Sequence, residues 1–337
     1  MRIERVDLDT WADALPADGF EVFHTPAALE VVADHWNGET ELLVGYNGDQ
    51  PVAMCPVFVQ RRSVGTAVLS PPPSMGIPRL GPLLRPVSPK QRKQEQLNQE
   101  FTEGVLETLD LDRGRTLFRV LCPPTYTDPR PFDWQGFDVR TAFTYELDAS
   151  DTTSDDLQAS FSKSLRREIR DAEALDLDVT VEQGVDAVRS VYDDTVARYA
   201  DQDETFSLDW AYVADLTTAL AAEDRCRTYA ARTPDGEFVS GITALYSNDA
   251  AYFWLGGART TYENVSINSL LHWRIVEDIA TEPPLGTVSR YDLMGANTER
   301  LCRYKSKFGA DLVPYYVVES GGKRMELAKK AYQLIAR

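Results

Sequence analysis

The chain has 337 residues, 43% of them hydrophobic and 26% charged, enough for two domains with cores of ordinary size. Acidic residues number 53 against 35 basic, a net charge of -18, which argues against a general nucleic-acid binder, and no run approaches the ~18 apolar residues of a membrane span. Only eight of the basic residues are lysines; this arginine-biased, carboxylate-rich composition fits a halophile-like cytoplasm, where salt screens surface repulsion and acidity says less about partners.

The N-terminus, MRIERVDLDTW, lacks the basic-then-apolar order of a leader, so a cytoplasmic location is expected. A helical segment around Pro26 to Trp36 precedes three strands, Glu41 to Tyr46, Pro51 to Arg61 and Thr66 to Ser70, joined by turn residues at Asn47 to Gln50 and near Ser63. A helix follows over Lys90 to Leu109. The polar run Asp148 to Asp156 (DASDTTSDD) then reads as a linker. Beyond it, helices over Val185 to Tyr199 and Asp209 to Ala222 lead into a second meander, Arg225 to Arg232, Glu237 to Tyr246 and Ala250 to Ala258, and a helix over Ile267 to Ala280. The repeated order predicts an α+β chain of two duplicated domains, residues 1–148 and 149–337, with a last helix packing back on the first domain.

Opening the second half, FSKSLRREIRDA places Lys163, Arg166, Arg167 and Arg170 at i, i+3, i+4 and i+7, on one helix face. Leu157, Phe161, Leu165, Ile169 and Ala172 repeat on the other. Like charges at these spacings repel, and only Arg167 with Asp171 and Arg170 with Glu173 offer local relief. Such a face invites phosphate, whose oxygens match guanidinium forks. The simpler reading is a solvated face with snorkelling arginines.

Cys55, Cys122, Cys226 and Cys302 have no CxxC pairing, and His24, His35 and His272 are dispersed, so no metal site is expected. The sequence has no GxSxG, HExxH or P-loop pattern. Tyr291 to Tyr316 (YDLMGANTERLCRYKSKFGADLVPYY) reads as a short strand and a helix capped by Asn297 or Thr298, with an apolar seam of Leu301, Tyr304 and Phe308, ended by Gly309. Arg300, Arg303 and Lys307 form a second basic stripe, with Lys305 beside it; lysines in a last turn also simply complement the helix dipole. Asp292, at the end of the strand Arg290 to Leu293, is a candidate for orienting an amine or accepting its proton, directly or through water; a turn aspartate is the plainer alternative.

KSLRREIRDAE, the meander ending in YFWLGGA, the helix after it, and YDLMGAN with YKSKFG resemble, in this order and spacing, the FemABX-type branch of the GNAT acyltransferase superfamily. In the first half the resemblance rests on the meander and on PPPSMGIPRLGPLL, similar to a loop ending in GPL. It covers most of the chain and is best over Phe161 to Tyr316. It implies tandem GNAT-like domains, each a mixed, mainly antiparallel sheet flanked by helices, and transfer of an acyl group from acetyl or another acyl coenzyme A, or alternatively from aminoacyl-tRNA, to an amine. Lys305 takes the lysine position of an aromatic-Lys-x-x-Phe-Gly pattern, implying a cation near donor phosphate or a developing oxyanion. The donor site implied is the junction of strand and helix N-terminus, with Gly256, Gly257 and Asn268. Two features depart from the family. The junction lacks an RxxGxG or RxxGxA loop, and the one local match, Arg62 to Ala67, runs into VLSPPPS, which cannot open a helix. Val185 to Ala222 is too short and interrupted for the long helical hairpin of many wall-synthesis members.

The reading is an N-acyltransferase acting on a primary amine of a phosphate- or sugar-linked acceptor, a small molecule or cell-envelope precursor. Lys163, Arg166, Arg167, Arg170, Arg303 and Lys307 would grip acceptor or carrier phosphate in a cleft between domains. One alternative is a non-catalytic GNAT-fold module binding RNA or an anionic headgroup. Another is a scaffold in which the stripe pairs with carboxylates of the first domain.

Overall fold

A computed structural model describes residues 1–63, 65–111, 115–257 and 261–321. The chain forms two compact units: Met1–Ala142 together with the chain from Pro314, and Phe143–Val313. The sequence reading set a single division at 148/149. The acidic run taken for a linker lies inside the second unit, where Ala149 is buried and its N–H donates to Ser289 O at 2.7 Å. Its polarity serves a helix start, since Thr153 Oγ1 accepts from Asp156 N at 3.2 Å. The expected last helix falls at 322–337, outside the described residues.

In the first unit, β1 (Arg2–Val6), helices α1 (Leu8–Ala14) and α2 (Pro26–His35), and the meander β2 (Glu39–Asn47), β3 (Gln50–Arg62), β4 (Gly65–Ser70) come first. A short β5 (Leu83–Leu84), helix α3 (Gln91–Thr108), β6 (Thr116–Leu121) and α4 (Arg130–Trp134) follow. Thr25 caps α2 ahead of Pro26 at its first position, and Gly48, at φ 62°, makes the β2–β3 turn. β4 pairs β6 in parallel over five rungs, Thr66 with Thr116 to Ser70 with Val120. The core joins Leu43, Val57 and Val68 of the sheet to Phe101 and Val105 of α3.

Strand β7 (Phe137–Asp148) runs from the first unit into the second. There α5 (Ser154–Ser160), α6 (Lys163–Glu173), β8 (Asp178–Glu182), α7 (Val185–Ala200) and α8 (Trp210–Ala221) precede the meander β9 (Cys226–Arg232), β10 (Phe238–Tyr246), β11 (Ala250–Gly256). After a two-stranded hairpin, β12 (Thr261–Tyr262) and β13 (Val265–Ser266), come α9 (Asn268–Thr281), β14 (Arg290–Asp292), α10 (Glu299–Lys305) and β15 (Asp311–Ser320), which ends in the first unit. The two units repeat one plan. Each has a meander, a crossover helix and a strand returning parallel to the meander's last, β6 to β4 and β14 to β11, and each returning strand has an antiparallel neighbour, β15 and β7. This is the α+β, tandem arrangement expected.

The basic segment is two helices. Phe161 is the C-cap of α5, and Ser162 restarts the chain by accepting from Leu165 N at 3.2 Å. Its apolar stripe is buried as the spacing requires: Leu165 and Ile169 are 0% exposed, in one core with Leu271, Ile275 and Val276 of α9.

Candidate functional site

The two parallel pairs differ in length. β11 and β14 share three rungs, Ala250 with Arg290 to Tyr252 with Asp292, yet β11 runs on to Gly256. The chain after Asp292 follows β7 instead: Leu293 N donates to Tyr145 O at 2.9 Å and Ala296 N to Phe143 O at 3.0 Å. The two parallel strands therefore diverge. Phe253 is the first residue of β11 past the last rung, and Gly256 and Gly257 close that strand at φ 94° and 65°, conformations that suit glycine. A Cβ on Gly256 would lie 2.3 Å from Gly241 O, and one on Gly257 2.7 Å from the Phe253 ring and 2.8 Å from Asn268 Oδ1.

Asp292 and Lys305 meet at the root of the divergence. Asp292 is 1% exposed; its Oδ1 accepts from Thr144 Oγ1 at 2.5 Å and from Met294 N at 2.7 Å. That bond two residues along is an Asx turn, and it holds Met294 and Gly295 at φ 58° and 54°. Both carbonyls thereby reach the Lys305 ammonium, which donates to Met294 O and, at 3.2 Å, to Gly295 O. Lys305 Nζ also stands 5.6 Å from the Phe253 ring centroid. Burial lowers its pKa to about 8, the Asp292 charge opposing the fall. Asp292 is thus the turn aspartate of the plainer reading, and it also sets the cation in place.

Of the groups next to this pair, the sequence reading named Asn268 for the donor site and missed His272. His272, on α9, is fully buried among the rings of Phe253, Tyr291, Tyr304 and Phe308. Its Nδ1 is 2.8 Å from Tyr291 Oη and its Nε2 has no hydrogen-bond partner among the described residues. Burial, reinforced by the Lys305 charge, pushes the imidazole down to about 3, so it is neutral. Asn268 Nδ2 donates to Tyr304 Oη at 3.0 Å, and Ser269 Oγ donates to Glu168 Oε2 at 2.8 Å. A helical stripe of α9 carries these side chains inward; only the fold shows that the stripe passes β11 where it leaves β14.

The cations fall into two groups. Arg167 pairs with Asp171 at 3.4 Å, Arg303 with Glu299 at 2.5 Å, and Lys307 with Glu168 at 2.8 Å. Lys163, Arg166 and Arg170 have no ion pair among the described residues, and the buried Nε of Arg166 has no hydrogen-bond partner. Thr298 is the N-cap of α10 but makes no side-chain cap bond, while Asn297 bonds both backbone groups of Phe143. Gly309 ends the segment at φ 66°. The N-cap of α9, Ile267, likewise makes no side-chain cap bond. The strand expected to Ala258 ends at Gly256; Ala258 to Thr260 lie outside the described residues.

Residues 159–306 match the family model described as acetyltransferase (GNAT) domain. Among solved structures, FemX is similar over 100% of both chains at 10% identity with a TM-score of 0.68. The fold is that of the FemABX-like branch of the GNAT superfamily. Two further structures share this GNAT-like fold. The C-terminal domain of a putative lysylphosphatidylglycerol synthetase from Agrobacterium fabrum is 12% identical over 97% of this chain and 96% of its own, with a TM-score of 0.54. The L-PGS structure from Bacillus licheniformis is 13% identical over 87% and 91%, with a TM-score of 0.51. No curated protein sequence matches. The GNAT match lies within the second unit, which holds the diverging strands, and an acyltransferase fold is thus established there. No helix among the described residues is long and apolar enough to cross a membrane.

Proposed function

We propose that the chain is an N-acyltransferase whose reaction centre is the opening between β11 and β14 of the second unit. The observation that carries the reading is the three-rung ladder with Lys305 at its root. An amine attacking a thioester or ester carbonyl needs no enzyme nucleophile; it needs two oriented substrates, a cation or dipole for the oxyanion, and a route for one proton. Lys305 supplies the cation, from a site where low polarity strengthens its field. With a pKa near 8 it also exchanges a proton near neutral pH.

The donor, an acyl coenzyme A or an aminoacyl-tRNA, lies against Gly256, Gly257 and the first turn of α9, whose amides take its phosphate or carbonyl oxygens. Lys163, Arg166 and Arg170 hold phosphate of the carrier or acceptor. The acceptor amine belongs to a phosphate- or sugar-linked molecule, and the shared fold with lysylphosphatidylglycerol synthetase favours a cell-envelope precursor.

The test is a transfer assay that offers the full chain acetyl coenzyme A and charged tRNA separately, with amine acceptors that do or do not carry phosphate. Transfer from one donor, with phosphate lowering the acceptor KM, is expected. No transfer from either donor, together with steeply salt-dependent binding of RNA or anionic lipid, overturns it in favour of a binding module.

A further inference from the structure

Asn268 opens α9, is 6% exposed, and has an Oδ1 with no hydrogen-bond partner among the described residues. A chain of hydrogen bonds fixed at its far end decides that the oxygen, and not the nitrogen, is left over. The Glu168 carboxylate on α6 takes Lys307 Nζ at 2.8 Å and Ser269 Oγ at 2.8 Å. A carboxylate only accepts, so the single hydroxyl proton of Ser269 is committed to it. In the 3.3 Å contact between Ser269 Oγ and Tyr304 Oη the tyrosine is then the donor. Its own proton spent, Tyr304 Oη accepts, and it takes Asn268 Nδ2 at 3.0 Å. Such a network is what assigns an amide's orientation. Asn268 Oδ1 is thereby held as an acceptor next to Gly257, where a Cβ would come within 2.8 Å of it. Gly257 and Phe253, bordering the same point, are half-buried. A buried acceptor left unmet is costly, and buried polar groups are almost always satisfied.

We propose that Asn268 Oδ1 is a ligand subsite that accepts a hydrogen bond from an uncharged N–H or O–H group of the acyl donor, beside Gly256 and Gly257. Glu168, Ser269 and Tyr304 act as positioning residues that keep the amide oxygen turned toward it. The proposal rests on the acyl-transfer reading and sharpens it. A fully ionised phosphate, which only accepts, is disfavoured at this point and falls to the first amides of α9 and the cations of α6. Two carriers offer the required donor: the amide N–H groups of an acyl-pantetheine arm, and the ribose hydroxyl beside an aminoacyl ester.

The test has a ligand-free arm and a binding arm, both on the full chain. In the first, the Asn268 side-chain NH2 resonance of the wild type should show a nuclear Overhauser contact to Tyr304. Glu168→Gln, whose amide can donate to Ser269 and let the chain reverse, should weaken that contact. No contact in the wild type overturns the polarity argument. In the second, acetyl coenzyme A and an amide-linked aminoacyl RNA acceptor helix, with its 2′-deoxy form, are titrated into wild type, Asn268→Leu and Glu168→Gln. The wild type should bind one of them, which identifies the source. Asn268→Leu should weaken that binding about tenfold with its melting temperature maintained, and Glu168→Gln should weaken it less. For the RNA, the 2′-deoxy form should lose as much in wild type and nothing further in Asn268→Leu. Wild-type binding that Asn268→Leu leaves unchanged overturns this inference alone. Wild type binding neither probe removes the acyl-transfer reading with it. If Asn268→Leu does not fold, unchanged affinity in Glu168→Gln together with an unaltered Asn268 resonance overturns the proposal.

Discussion

Replacing Lys305 by methionine should change how stability depends on pH. In the folded chain Lys305 is 5% exposed and its pKa falls from 10.5 to about 8, chiefly through burial. That fall, at about 1.36 kcal/mol for each tenfold change in acidity, is a penalty of about 3 kcal/mol for keeping the ammonium charged inside the fold. The sign follows from proton counting. Between pH 8 and 10.5 the unfolded chain keeps the proton that the folded chain releases, so wild-type stability gains with rising pH across that window. Below pH 8 both states are protonated and the whole penalty is present; above 10.5 it has gone. Lys305→Met carries no such penalty, so the difference in unfolding free energy, mutant minus wild type, should fall by about 3 kcal/mol from pH 7.5 to 10.5. Urea unfolding followed by tryptophan fluorescence at half-unit pH steps measures it, and taking the difference cancels the other lysines and tyrosines that titrate there. Parallel curves for the two proteins would refute the account of Lys305 as a desolvated cation. The same variant should lose most of its kcat.

Three further outcomes follow from single geometric facts. Gly257→Ala should destabilise by roughly 1–3 kcal/mol by thermal or urea melts, because φ is 65° and the methyl meets Phe253 and Asn268; an unchanged midpoint would contradict the turn. Arg166→Ala with Arg170→Ala should raise the KM of the phosphate-bearing substrate and flatten its salt dependence, with kcat little altered; identical kinetics would remove α6 from the site. Asp292→Ala leaves Met294 N–H and the Thr144 hydroxyl without their acceptor. It should cost roughly 2–4 kcal/mol and lower the Lys305 pKa further, read from the alkaline limb of the stability curve.

Periodicity made the meanders and the main helices legible, since alternation and the 3.6-residue stripe are local signals. The cations of α6 were legible for the same reason. What could not be read was which charges find partners: Glu168 sits among the arginines of α6, yet its bonds go to Lys307 and Ser269, over a hundred positions away in the chain. His272 looked like one of three scattered histidines because its surroundings come from β11, β14 and α10 as well as α9. The division into units was obscured because polar residues at a helix cap look like those of a linker, while β7 runs on through the true boundary.

The duplicated plan explains why one parallel pair and not the other is the candidate centre. In the first unit β4 and β6 stay paired for five rungs, and β4 ends in a serine followed by three prolines. Prolines set the chain on an extended course there and supply no amide donors. In the second unit the ladder stops after three rungs, because the Asx turn at Asp292 and the left-handed pair Met294 and Gly295 lead the chain along β7. The strand left behind ends in Gly256 and Gly257, at φ 94° and 65°, with Phe253 and Asn268 close beside Gly257. Lys305 then spans the separation from below, holding the carbonyls of the departing strand while facing the ring of Phe253 on the other. Each piece is a local choice of residue. Together they bring a cation, a neutral imidazole and the Asn268 amide to the end of a ladder that stops at Tyr252 and Asp292, and the proposed acyl transfer requires that a carrier-bound carbonyl and an amine meet there without a covalent intermediate.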